Sequence, residues 1–350
     1  MNYFPGIGTW KSCFLKKQKL SITAQRRGAI IPNLHLRVND TNWMESESKA
    51  WDGMYAHFLC FARWGAVSEE EKQRGITYHG EAVQQNWQRQ AGGVRSETLA
   101  VTLPIIGLNA QRTVLLAEKG SAFRITDIFT NPTGRRLPYN VVEYVTLSEF
   151  AYAASARVST NADRGILLHQ GKQVKNSAFR WPFLSFEKHK RNARRWLHIE
   201  GISIVSMEVP DKDKRGWVCV VNPSQREILG YIWPTAELPW LLMWSYYENG
   251  RIQGCSFEPG TSGLNHPLGK LEEIGTILNR PFLCHFGTCG GENPPHVGIC
   301  LQAASRSERG EGHLCRRRID PGRIQGPWFV VIAVDAMKSI LGIRGCAHSS

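Results

Sequence analysis

Through the middle of the chain, apolar and polar positions alternate with a period of two. Residues 98–106, 113–118, 121–130, 141–147, 217–222, 227–233 and 252–258 form runs rich in Val, Ile, Thr, Phe and Tyr, bounded by turn residues. Such runs predict half-buried β-strands, because successive side chains of a strand point to opposite faces. The links between them are short: Glu118-Lys119-Gly120, Asn131-Pro132-Thr133-Gly134 and Asn222-Pro223-Ser224. Short links predict antiparallel meanders, since parallel strands need long crossovers. No long helical period stands out. One short helix is expected over residues 68–73, with Ser68 as N-cap and acids in its first turn. The fold class this predicts is all-β, a large antiparallel β-sandwich.

The alternation also assigns faces. In 252–258, Cys255 and Phe257 share the apolar side, which leaves Ser256 and Glu258 on the other. In 141–147, Glu143, Val145 and Leu147 share one face, opposite Val142, Tyr144 and Thr146. In 121–130, Phe123, Ile125 and Phe129 alternate with Arg124, Thr126 and Thr130.

Composition narrows the class. The chain has 350 residues, 42% of them hydrophobic and 21% charged, enough apolar material for a full core. No uninterrupted apolar stretch reaches the roughly 18 residues of a membrane span, so no membrane partner is expected. The first residues lack a basic segment followed by an apolar one, so the expected address is cytoplasmic. Nine cysteines, crowded toward the end, read in that compartment as free thiols. The net charge is +13, but it is spread along the chain. Its densest stretch, KHKRNARR at 188–195, has no aromatic series for stacking bases, so no nucleic-acid partner is expected. Neither a nucleophile elbow nor a Walker phosphate loop occurs.

Three features carry candidate chemistry. ITYHGEAVQQNW (76–87) places His79, which titrates near neutrality, beside Gly80, with Tyr78 and Trp87 flanking it. GCSFEPGTSGLNHP (254–267) holds Glu258 at a strand end before a rigid Pro-Gly turn, a placement suited to a base. Tyr231, Trp233, Trp240, Trp244, Tyr246 and Tyr247 offer flat faces for a sugar ring, or core packing. The Cys and His residues at 284, 289, 296, 300, 313 and 315 lack the tight hook of a structural zinc site.

Taken in order, four blocks resemble the galactose mutarotase-like superfamily, and the aldose 1-epimerase family in particular. They are GMYAHFLCFARWG (53–65), YHGEAVQQNW (78–87), TDIFTNPTGRRLPYNVVEYVTLSEF (126–150), and GYIWPTAELPW with ENGRIQGCSFEPGTSGLNHPLGK (230–240 and 248–270). The resemblance implies a twisted β-supersandwich with a monosaccharide groove, and interconversion of α and β anomers by acid/base ring opening. It implies Glu258 as the base and His79 as the acid or substrate clamp. It further implies substrate contacts from Tyr144, Arg63, Trp87, Tyr78 and Trp233. Tyr144 stands where the family has a His, and a phenol with a pKa near 10 is a poorer proton shuttle at neutral pH. That departure keeps a second expectation open, a non-catalytic carbohydrate-binding protein of the same fold. The implied ligand is a monosaccharide or sugar phosphate. Proton transfer alone performs the chemistry, so no cofactor or metal is expected.

The likeness ends near residue 282. Beyond it the text is rich in Cys, His, Gly, Pro and Arg and loses its period of two, until residues 328–341 regain an apolar run. The expected organisation is a sandwich domain over 1–282, followed by an atypical tail over 283–350, poorly packed or read from a shifted frame.

Overall fold

Strands dominate the molecule, and its main ladders are antiparallel. The computed structural model describes residues 57–281, apart from short gaps at 94, 117–121, 134, 136, 148–150 and 225–226. Outside that span it describes the backbone of six strands: Leu20–Thr23, Asn33–Leu36, Thr41–Met44, Cys284–Phe286, Val297–Cys300 and Trp328–Ala333. Among the described residues there are two large sheets. The first runs in the order Leu20–Thr23, Asn33–Leu36, Thr41–Met44, Val141–Leu147, Arg251–Gly260, Trp240–Glu248, Gly201–Glu208, Arg164–His169, and ends in a hairpin edge at His189–Asn192. His57–Phe61 also pairs with Val141–Leu147. The second runs Arg157–Thr160, Arg215–Asn222, Glu227–Pro234, Trp328–Ala333, Ala122–Thr130, Leu108–Leu116, Ser96–Leu103, Gln88–Gly92.

Each of the seven alternating runs falls on a strand, so the all-β expectation holds. One boundary is corrected. The run 98–106 stops at Leu103, because residues 104–107 form a turn. Pro104 has no N–H for the ladder, and Gly107 takes a left-handed φ of 82° before the chain returns at Leu108. The helix Glu69–Gln73 forms with a reciprocal Ser68–Glu71 capping box. A second helix, Leu268–Ile274, was not expected. It has no side-chain cap and buries Leu271 alone, so its apolar signal is weak.

Tail strands enter the second sheet. Trp328–Ala333 pairs with Glu227–Pro234 on one side and Ala122–Thr130 on the other. Val297–Cys300 pairs with Ala122–Thr130 as well. Of the residues weighed for zinc, 289, 296, 313 and 315 lie outside the described residues, as does the expected turn at 118–120.

The core lies between the sheets. Leu59, Phe61, Val145, Leu147, Leu167, Val205, Met243, Cys255 and Phe257 of the first sheet join one buried cluster with Phe123, Ile125, Phe129, Val218, Val220, Leu229 and Tyr231 of the second. Charged residues occupy alternation-defined core positions inside it. Arg112 is fully buried, and its Nε and Nη2 each donate to Asp127 at 2.7 Å from the directly opposed position of the next strand. Nη2 also donates across the sandwich to Glu143, at 2.8 and 3.0 Å. His57 Nε2 lies 3.4 Å from Glu143 Oε2. Burial pushes the Glu143 carboxyl well above its usual range, helped by the Asp127 charge and opposed by Arg112. Burial and the Arg112 charge push His57 well below its own. The cluster is therefore centred on an Arg112–Asp127 ion pair, beside a Glu143 and a His57 whose charged forms burial disfavours.

This assignment predicts unequal costs. Arg112→Leu strands a buried carboxylate and should lose about 3–5 kcal/mol in urea unfolding at pH 7. Glu143→Gln keeps a neutral hydrogen-bonding group and should lose less than about 1.5 kcal/mol.

Candidate functional site

The outer face of the first sheet carries a second buried cluster. Phe58, Cys60, Val142, Tyr144, Ile166, Ile204, Leu242 and Trp244 project there, with Trp64, Leu264 and the helix residue Leu271 closing over them. Glu258 lies among them, opposite Leu242 in the ladder and on the same side as Ser256. Ser256 Oγ donates to Glu258 Oε1 at 2.6 Å. Oε2 is buried with no partner of hydrogen-bond geometry. Burial raises the carboxyl pKa to about 8, although the hydroxyls of Ser256 and Tyr144 offset part of the shift. A buried carboxyl with a strongly raised pKa is costly to the fold and is the kind of group that functional sites retain.

His79 reaches the same cluster from a loop. Its φ is +66°, in the left-handed region, and Gly80 follows at +89°. Gly80 bridges Phe61, and a Cβ there would lie 2.1 Å from the Phe61 carbonyl oxygen, so only glycine fits. Glu81 anchors this loop by accepting from the amides of Ile105 and Ile106 at 3.0 and 3.2 Å. The His79 ring is packed edge-on by Tyr78 at 4.2 Å and by Phe58 and Tyr144 at 5.0 Å each, between ring centroids. Its Nδ1 accepts from the Gly65 amide at 3.2 Å and lies 3.2 Å from Cys60 Sγ. Burial, with help from the Arg63 charge, lowers its pKa to about 3.

Glu258, His79 and Tyr144 are thus brought together. Tyr144 stacks on Phe58 at 4.7 Å, and burial and the nearby Glu258 hold its phenol well above the usual range. Tyr78 sits at the rim, half exposed. Arg63 is buried beside His79, but its Nε lies 3.2 Å from Glu71 Oε2, so its charge is already compensated. Two expected contacts are corrected. Trp87 and Trp233 are fully buried in the inter-sheet core, with their indole N–H groups donating to the carbonyls of Ala82 and Leu238. They have no free face for a sugar, because alternation in Glu227–Pro234 and the turn after Gln84 aim both indoles inward. The sequence reading missed Phe58, Cys60 and Ser256. Phe58 and Cys60 alternate with core-facing Leu59 and Phe61, but HFLCF is apolar at every position except His57, so its pattern names no outer face. Among the described residues, no three His, Cys, Asp or Glu side chains gather to hold a metal, and no helix is long and apolar enough to cross a membrane.

The His79 burial has a measurable cost. The ring is neutral in the folded state down to about pH 3, whereas the unfolded ring gains a proton below about 6.5. The unfolded state then binds more protons, so stability falls as pH drops through that window. Between pH 6.5 and 5 this contributes about 1.6 kcal/mol, the slope rising toward about 1.36 kcal/mol per pH unit. Urea unfolding of His79→Asn, a residue that tolerates left-handed backbone, should lose correspondingly less over the same interval.

No family model matches the chain, and no curated protein sequence matches it. Solved structures do. A galactose mutarotase related enzyme from Lactobacillus acidophilus superposes with a TM-score of 0.60 at 11% identity, covering 84% of this chain and 95% of that one. A galactose mutarotase-like protein from Lactobacillus casei gives 0.56 at 12% identity, covering 84% and 98%. One from Clostridium acetobutylicum gives 0.55 at 13% identity, covering 81% and 90%. With its paired antiparallel sheets and that agreement over most of its length, this chain has the galactose mutarotase-like fold.

Proposed function

We propose that the chain interconverts the α and β anomers of a monosaccharide by acid/base ring opening, as an aldose 1-epimerase-like protein. Glu258 is the base, and His79 is the group that meets the ring oxygen. The observation that carries this reading is the Glu258 carboxyl. It is buried on the outer sheet face, with a pKa of about 8 and the hydroxyls of Ser256 and Tyr144 beside it, and the His79 ring meets Tyr144 edge-on. Taking a proton from a sugar hydroxyl needs a base tuned near the working pH, and burial provides that tuning here. In the reaction the carboxylate removes the O1 proton, C1–O5 breaks as C1=O1 forms, and O5 gains a proton. Rotation about C1–C2 and closure then give the other anomer. Because Glu71 already compensates Arg63, a neutral sugar fits this site better than a sugar phosphate.

A second reading is favoured by Tyr144. Its phenol is held protonated by burial and by Glu258, so it can donate a hydrogen bond but does not shuttle protons near neutrality. The same site would then bind a carbohydrate without turnover.

Polarimetry of freshly dissolved α-glucose and α-galactose separates the two readings. Catalysis predicts faster equilibration, with kcat/KM falling about tenfold per pH unit below pH 8 as Glu258 gains its proton. Glu258→Gln should lose at least about 100-fold. The folded carboxyl holds its proton to about pH 8 and the unfolded one only to about 4.3, so native stability falls as pH rises between these values. The Gln variant should therefore be no less stable than the parent at pH 9, and lost activity there is not lost folding. Sugar binding without acceleration would select the non-catalytic reading.

A further inference from the structure

Nδ1 of His79 faces two groups at once. The Gly65 amide points its hydrogen at Nδ1 from 3.2 Å, and a backbone amide can only donate. Nδ1 must therefore present its lone pair. Cys60 Sγ lies 3.2 Å from the same atom, on the strand that also presents Phe58 to the ring. The Cys60 thiol is fully buried, and burial pushes its pKa up and holds it protonated, so it too donates toward Nδ1. Arg63, Tyr78, Tyr144 and Glu258 are the other titratable groups around this pair. None of them displaces the Gly65 amide from Nδ1.

We propose that Cys60 and the Gly65 amide are positioning groups that lock His79 as the neutral Nε2–H tautomer, making it a fixed hydrogen-bond donor rather than a proton-exchanging acid. This rests on the sugar-anomer reading of the site and assigns a narrower role within it. The ring is already clamped by Phe58, Tyr78 and Tyr144 and by its left-handed backbone, so the tautomer is the remaining freedom. The lock removes it and turns Nε2–H toward the ring oxygen of a bound sugar. Neutral imidazole as a donor to developing oxyanion charge is an established catalytic device. The protons balance with one titrating carboxyl. Glu258 takes the O1 proton, O5 takes one from water while hydrogen-bonded to His79, and Glu258 returns its proton to the hydroxide. Cys60 works through His79 and takes no part in bond making. Its protonated, buried state also sets it apart from nucleophilic Cys–His pairs, whose thiol must ionise.

Imidazole ¹⁵N NMR of the full chain tests the lock without any turnover, so it stands apart from the activity assay. The expected spectrum shows an unprotonated Nδ1 and a protonated Nε2, unchanged from pH 5 to 9. Cys60→Ala leaves the Gly65 amide alone at Nδ1, so Nδ1 should stay unprotonated with its resonance shifted downfield by the loss of one donor. Cys60→Ser, which restores a donor, should return the parent spectrum. If turnover is present, Cys60→Ala should lower kcat about threefold to tenfold, the effect of one net hydrogen bond. KM and the midpoint near pH 8 should stay in place, and Ser should rescue. A wild-type spectrum with a protonated Nδ1 would overturn the proposal, as would a Cys60→Ala spectrum identical to the parent's.

Discussion

The two sheets meet over a buried guanidinium. Arg112 forms a two-pronged ion pair with Asp127 inside its own sheet and reaches across the sandwich to Glu143 in the other. A charge at this depth is tolerable only when opposite charge meets it, and the geometry of that pairing constrains how the sheets stack. A one-residue slip of Leu108–Leu116 would turn Arg112 to the other face and leave both carboxyls stranded. An apolar contact can slide by an ångström at little cost, whereas a forked ion pair cannot, so this cluster specifies register more than it adds stability.

The candidate site depends on that register. Val141–Leu147 carries Glu143 on its inner face and Tyr144 on its outer face. His57–Phe61 carries His57 inward, and Phe58 and Cys60 outward. The strands held by the buried charges are thus the ones that aim the rings and the thiol at His79. Arg251–Gly260 is the neighbour of Val141–Leu147 in the ladder, and Val145 opposite Phe257 sets Glu258 beside Tyr144. The rigid inner layer positions a strained outer one: a left-handed His79, a Gly80 that admits no Cβ, and a carboxyl held at a high pKa. Strain and desolvation of this kind persist only where surrounding structure over-determines them.

The division of charge on the outer face is also informative. Glu258 and His79 have pKa values driven in opposite directions by burial, one up to about 8 and the other down to about 3. Burial thus disfavours the charged form of both groups in the apolar cluster around them. Only Glu258 then changes charge in the physiological range, which gives the two groups distinct roles despite their similar surroundings.

The sequence by itself determined the strands, the antiparallel class and the facing of most side chains. Those follow from a period-two pattern and short turns, which are local and survive without knowledge of partners. It also singled out Glu258 and His79 as candidates, because alternation set Glu258 apart from Cys255 and Phe257, and His79 titrates near neutrality within the HGE segment. The tertiary structure alone decided which aromatics are free. Trp87 and Trp233 are indistinguishable from a sugar platform in sequence, yet both are consumed by the core. It alone revealed the Arg112 cluster, since a charged residue at a core position announces a partner without naming it, and Glu143 lies 31 residues away. It alone brought Cys60 to His79 across 19 residues. Contacts between distant segments are set by sheet stacking and loop path, and no local pattern encodes either.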